Sequence, residues 1–131
     1  MDKLEIRDDL KLILFKPFNT YSVHSIKRYI SKVHQHQKST FEYNRFIDLS
    51  DISMTKFSPH DIDHMTSIIK KFRAYRTEAV ACFFCKEIGI NRIASLFVEK
   101  MKPEFKNSCI ASDIEDCAKF LNVEIHHLID F

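Results

Sequence analysis

Cys82 and Cys85 form a Cys-x-x-Cys, a spacing shared by dithiol redox centres and zinc sites. A redox pair of this type needs a helix N-terminus, whose dipole lowers the thiol pKa. Here the pair lies in Ala79-Val80-Ala81-Cys82-Phe83-Phe84-Cys85, an apolar run that reads as a strand. Side chains three apart on a strand point to opposite faces, and no second Cys-x-x-Cys follows. Cys82, Cys85, Cys109 and Cys117 are therefore read as reduced, structural thiols that pack as small hydrophobes. No metal site and no cofactor is assigned to them.

His60 and His64 stand four apart with Asp61 and Asp63 close by, a spacing that can chelate a divalent metal on one helix face. The Glu that a zinc protease carries after the first His is missing, since the run reads His-Asp-Ile-Asp-His. At 100° per residue both His fall opposite Ile62 and Ile69, so they are expected on the solvent face. His34, His36, His126 and His127 sit in or beside polar segments expected to be mobile, with no triad around them. A nucleophile elbow or a phosphate loop needs several glycines, and the chain has one, Gly89. Two acidic residues remain: Asp48 inside an apolar run and Asp51 just after it. Carboxyl ends of parallel strands are where α/β sheets hold ligands. The favoured reading for Asp48 is instead a hydrogen bond to the backbone of the turn that follows. No acid–base pair emerges, and a non-enzyme is expected.

Composition narrows the partners. The chain has 131 residues, 45% hydrophobic and 29% charged, enough for one domain over 1–131 with its own core. Twenty basic residues against eighteen acidic ones give a net charge of +2, too balanced to point to nucleic acid or an anionic membrane. Lys70, Lys71, Arg73 and Arg76 cluster where they complement the end of a helix dipole. No segment approaches the eighteen or so apolar residues of a membrane span, and the first residues lack the apolar stretch of a signal peptide. A cytoplasmic location is expected.

The elements that must position these residues alternate. Two short strands meet around Asp8-Asp9 as a hairpin, with 4–6 and 10–15 as its arms. Val23, Ile26, Ile30 and Val33 mark an amphipathic helix. Residues 43–49 form a strand, followed by a helix start at Ser58-Pro59-His60-Asp61: an N-cap, a proline for the first turn, and an acid for the dipole. Ile62, Met65, Ile69 and Phe72 give its inner stripe. The run 79–84 is apolar throughout, as a strand covered on both faces should be. Asn91 is read as the cap of a third helix with Ile93, Phe97 and Met101 inside. Cys109-Ile110 mark a last strand, and Ser112-Asp113-Ile114-Glu115 reads as a capping box for a fourth helix. The tail, 123–131, is left as an added strand or a segment that docks on a neighbour. The order ββαβαβαβα predicts an α/β fold: one open, mainly parallel sheet of about five strands with about four flanking helices.

The runs Phe46-Ile47-Asp48-Leu49-Ser50-Asp51-Ile52, the strand at 79–84, and Ile110-Ala111-Ser112-Asp113-Ile114-Glu115-Asp116-Cys117-Ala118-Lys119-Phe120-Leu121 resemble the STAS-like group. That group includes bacterial anti-sigma-factor antagonists and looser STAS-like domains, some compared with the CRAL-TRIO lipid-binding fold. In such antagonists an Asp-Ser-Ser-Gly turn opens the second helix, and phosphorylation of its first Ser switches partner binding. The matching positions here are Lys56, Phe57, Ser58 and Pro59, so the phosphoacceptor position holds Phe57. The resemblance implies a regulatory or protein-interaction module without the usual phosphorylation switch. Its contact surface would span 54–65, with Phe57, Ser58, His60 and Asp61 as partner-binding residues and Ser58 as an N-cap in preference to a phosphosite. The alternative is a domain that binds a small lipophilic ligand between helices and sheet. That reading rests on the CRAL-TRIO comparison and the twelve Phe, of which Phe72, Phe83 and Phe97 are expected to be core. A homodimer through the hairpin edge or the tail is a further expectation.

Overall fold

The computed structural model describes residues 2–20, 22–36, 42–54, 59–72, 79–102 and 107–131. The chain runs β1 (Lys3–Arg7), β2 (Leu12–Lys16), β3 (Asn19–Thr20) and α1 (Val23–His34). It continues through β4 (Asn44–Asp48), β5 (Ile52–Met54), α2 (Pro59–Phe72), β6 (Val80–Phe84) and α3 (Ile88–Met101). It ends with β7 (Asn107–Ala111), α4 (Ile114–Leu121) and α5 (His126–Ile129). Five strands form one sheet in the order β1-β2-β4-β6-β7, antiparallel at β1 and parallel elsewhere. This is the α/β architecture that the alternation predicts.

The β1–β2 turn is closed by the Leu10 amide donating to the Arg7 carbonyl and the Lys11 amide to that of Asp8. Lys11 takes a left-handed φ of 49°, which ends the loop and lets β2 start at Leu12 rather than at Leu10. Asp8 then ties the hairpin to the rest of the fold. One of its oxygens accepts from the Tyr43 hydroxyl at 2.7 Å and lies 2.8 Å from His36 Nε2. His36 is therefore held against the hairpin, where the sequence suggests a fraying end.

Each crossover from β2 to β4, β6 and β7 advances one strand in the same direction. Right-handed connections then put successive helices on one face of the sheet. Accordingly Ile26 and Ile30 of α1, Met65 of α2, and Ala94, Phe97 and Met101 of α3 share a core with Phe15, Ile47, Ala81 and Phe83. The opposite face is covered by α4 and α5, whose Cys117, Ala118, Leu121 and Leu128 pack on Leu12, Leu14, Phe46, Cys82 and Phe84. Phe83 and Phe97 are core, as expected, with rings edge to face at 5.8 Å; the Phe72 side chain lies outside the described residues. The strand at 79–84 is covered on both faces, which is why its sequence lacks polar alternation.

Some boundaries differ from the sequence reading, each for a local reason. The α3 cap is Glu87, not Asn91. The Glu87 carboxylate accepts from the amides of Gly89 and Ile90 at 2.9 Å each, and the Asn91 amide already bonds the Glu87 carbonyl inside the first turn. Gly89 makes room for this: a Cβ there would lie 3.3 Å from both Glu87 carboxylate oxygens. The cap of α4 is Asp113, one residue beyond Ser112, with its side chain accepting from the Glu115 amide. The tail folds on its own chain as α5, with Leu128 buried and Val123, Ile125 and Phe131 against the same core. It is not an added strand.

The two amide bonds hold the Glu87 carboxyl below its ordinary value of 4.5. A depressed folded-state pKa contributes stability that is fully present above the unfolded value and is lost as pH falls through the folded one. Glu87→Gln should therefore melt below wild type at neutral pH, and the two melting temperatures should converge in acid. Calorimetry across pH 7 to 3, roughly the span in which such a carboxylate titrates, checks this.

Candidate functional site

Two places in the fold gather side chains capable of chemistry or recognition. The first is the carboxyl edge of the parallel strands. Asp48, the last residue of β4, is buried, with its side chain 8% exposed. Its Oδ1 accepts the Ser50 amide at 2.9 Å, the turn bond expected from the sequence. Its countercharge is Lys16, the last residue of β2, whose Nζ lies 3.7 Å from Asp48 and 3.6 Å from Asp51. Sequence reasoning missed Lys16 because the pair forms across two parallel strands far apart in the chain, and no local pattern encodes that register. The loops leaving β2 and β4 then run alongside each other. Asn19, with a φ of 67°, donates its amide to the Asp51 carbonyl, and β3 pairs in parallel with β5.

The strand order never reverses across the parallel strands, so the sheet has no topological switch point. The crevice in which doubly wound α/β sheets bind their ligands arises from such a reversal. Lys16, Asp48 and Asp51 therefore act as a polar tie that closes the strand ends, with the β3–β5 ladder above it.

The remaining candidates at this edge belong to α2. His60 is exposed and Asp61 half-buried in its first turn, and His64 is exposed one turn on, as the projection places it. Phe57 and Ser58 lie outside the described residues, as do Lys71 (side chain), Arg73 and Arg76 of the basic cluster. Two large apolar side chains stand in solvent at the same edge: Phe18, just after β2, and Ile88, the first residue of α3 after β6, at 52% and 70% exposure. Among the described residues, the group of three potential metal ligands is Glu124, His126 and His127 at the surface, away from His60 and His64.

The second place is the sheet face under α4. Register sets Leu14, Phe46, Cys82 and Cys109 opposite one another in a single row across four parallel strands. Cys82 and Cys85 do point to opposite faces: Cys82 packs under α4, and Cys85 packs with α1, α2 and α3. The Cys85 thiol is pushed up by burial. What the Cys-x-x-Cys spacing conceals is the true neighbour of Cys82. Its sulfur lies 3.3 Å from that of Cys109, and it packs in the same buried cluster as Cys117 of α4. All four thiols are free.

No protein-family model and no curated protein matches this chain. The STAS-like resemblance accordingly rests on the residue runs that carry it.

Proposed function

We propose that this chain is a non-enzymatic, STAS-like interaction module that binds a protein partner through residues 54–65, without a phosphorylation switch. The observation that carries the reading is that two of the solvent-exposed large apolar residues, Phe18 and Ile88, stand at this edge. They follow β2 and β6, the two neighbours of β4 in the sheet, and β4 leads into residues 54–65 and α2. Large apolar side chains grouped at one edge of a fold mark contact surfaces more often than isolated ones do. Phe57 is the aromatic anchor of this surface, with His60 and Asp61 on its polar rim, a composition typical of interfaces. The polar tie of Lys16, Asp48 and Asp51 supports the reading as well, since it gives the surface a rigid base. No helix among the described residues is long and apolar enough to cross a membrane, and in this reading the module works in the cytoplasm.

Native mass spectrometry of the chain purified from its own host tests the proposal. A co-purifying polypeptide is expected. Phe57→Asp and Ile88→Asp should each reduce its occupancy at least about tenfold, the effect of losing one interface anchor. Unchanged occupancy in both variants would remove this surface. A retained lipophilic small molecule in place of a polypeptide would favour a ligand-binding domain.

A further inference from the structure

Three of the four cysteines meet on the α4 face, the side of the sheet opposite to the one that Met65 of α2 packs on. From this geometry we infer that Cys82 and Cys109 are an oxidisable dithiol, a site of reversible disulfide formation with a low-molecular-weight disulfide of the glutathione class as oxidant.

Backbone and sulfur positions both suit the bond. Cys82 and Cys109 are direct partners in the parallel register of β6 and β7. Neighbouring strands lie about 4.8 Å apart, inside the window of about 4.4–6.8 Å that Cα atoms of a disulfide span. The sulfurs are already 3.3 Å apart, against about 2.05 Å in the bond itself, so side-chain rotation supplies most of the approach. Cys85 cannot compete, because it packs on the other face of the sheet.

The two thiols are also differentiated as an attacking and a resolving group. Cys109, half-buried on the edge strand β7, is the more exposed of the two thiols. Cys82 is fully buried, beneath α4. Its contact with Cys109, together with burial, pushes its pKa up. The same contact with Cys82 holds the Cys109 thiol below its ordinary value. The first thiolate to form is therefore the more exposed one, and thiolate character with access governs exchange rates.

In the first step the Cys109 thiolate attacks one sulfur of the oxidant. The oxidant's S–S bond breaks, and one thiolate leaves. Cys82 then passes its proton to a departing thiolate and attacks the Cys109 sulfur of the mixed disulfide, expelling the second thiolate. The dithiol loses two electrons and two protons, and the oxidant becomes two thiols. The product staples the edge strand β7 to its neighbour β6.

The full chain, reduced and then incubated with glutathione disulfide, tests this by intact mass and peptide mapping after acid quench and alkylation. Expected is a loss of about 2 Da, the two hydrogens released on disulfide formation, with two thiols protected and one peptide linking Cys82 to Cys109. Dithiothreitol should restore four free thiols. Cys85→Ser should react like wild type, whereas Cys109→Ser should leave Cys82 unmodified. The wild-type result stands without either variant. Four thiols still free after treatment, a lasting glutathione adduct on Cys109, or a bridge through Cys85 or Cys117 would each overturn the assignment.

Discussion

Phe46→Ala should lower the unfolding free energy by about 3–5 kcal/mol, the range for truncating a fully buried Phe. Phe46 is 0% exposed and lies in β4, the middle strand of the sheet. Leu14 and Cys82 flank it in register, α4 lies above, and its ring stacks near that of Phe84 at 6.4 Å between centroids. Strands on both sides and a helix above prevent the site from collapsing onto the void, so the cavity term adds to the lost transfer energy. A domain of this size has about 5–15 kcal/mol of stability in all, so the variant should forfeit a large share of it. Chemical denaturation should show a lower midpoint with an unchanged slope, and Phe46→Leu, which leaves a smaller void, should fall between the two. A loss below about 1 kcal/mol, typical of a half-exposed position, would mean that Phe46 is not where this packing puts it.

The second large effect concerns Lys16. Lys16→Met keeps the aliphatic stem and removes the charge, leaving the Asp48 carboxylate nearly buried with the Ser50 amide as its remaining partner among the described residues. Exposed ion pairs contribute about 0–1 kcal/mol, and stranding one member of a fully buried pair costs about 3–5 kcal/mol. Lys16 is 22% exposed, so water reaches the pair and screens it. An intermediate loss of about 1–3 kcal/mol is expected on that ground. Asp51 is 46% exposed and remains solvated when Lys16 is gone, so the penalty belongs to Asp48. A double-mutant cycle with Asp48→Leu isolates the pair. The double variant should recover stability relative to Lys16→Met, with a coupling of about 1–2 kcal/mol. Coupling near zero would show that the strand ends are closed by hydrogen bonds alone.

Much of the architecture is legible in the residues themselves. The stripe Val23, Ile26, Ile30, Val33 can bury itself only as a helix, and the wholly apolar 79–84 only as a strand with cover on both faces. The opposed faces of Cys82 and Cys85 and the turn bond of Asp48 follow from local geometry in the same way. The caps were less legible: Glu87 has a weaker capping preference than Asn91, and it prevails because Gly89 leaves its carboxylate room to fold back on the amides.

Local pattern thus determined the main strand–helix alternation, most inward faces and the parallel character of the sheet, since hydrophobic period and turn chemistry act over a few residues. It did not determine β3, β5 or α5, nor that Ala94 and Val98 rather than Ile93 line the inner face of α3. Tertiary structure alone decided which distant residues became neighbours. It paired Lys16 with Asp48, laid β3 along β5, folded the tail back over the core, and set Cys109 rather than Cys85 beside Cys82. These outcomes depend on strand order and register. A one-residue slip in register turns every side chain to the other face, and nothing within a single segment specifies which strand it will meet.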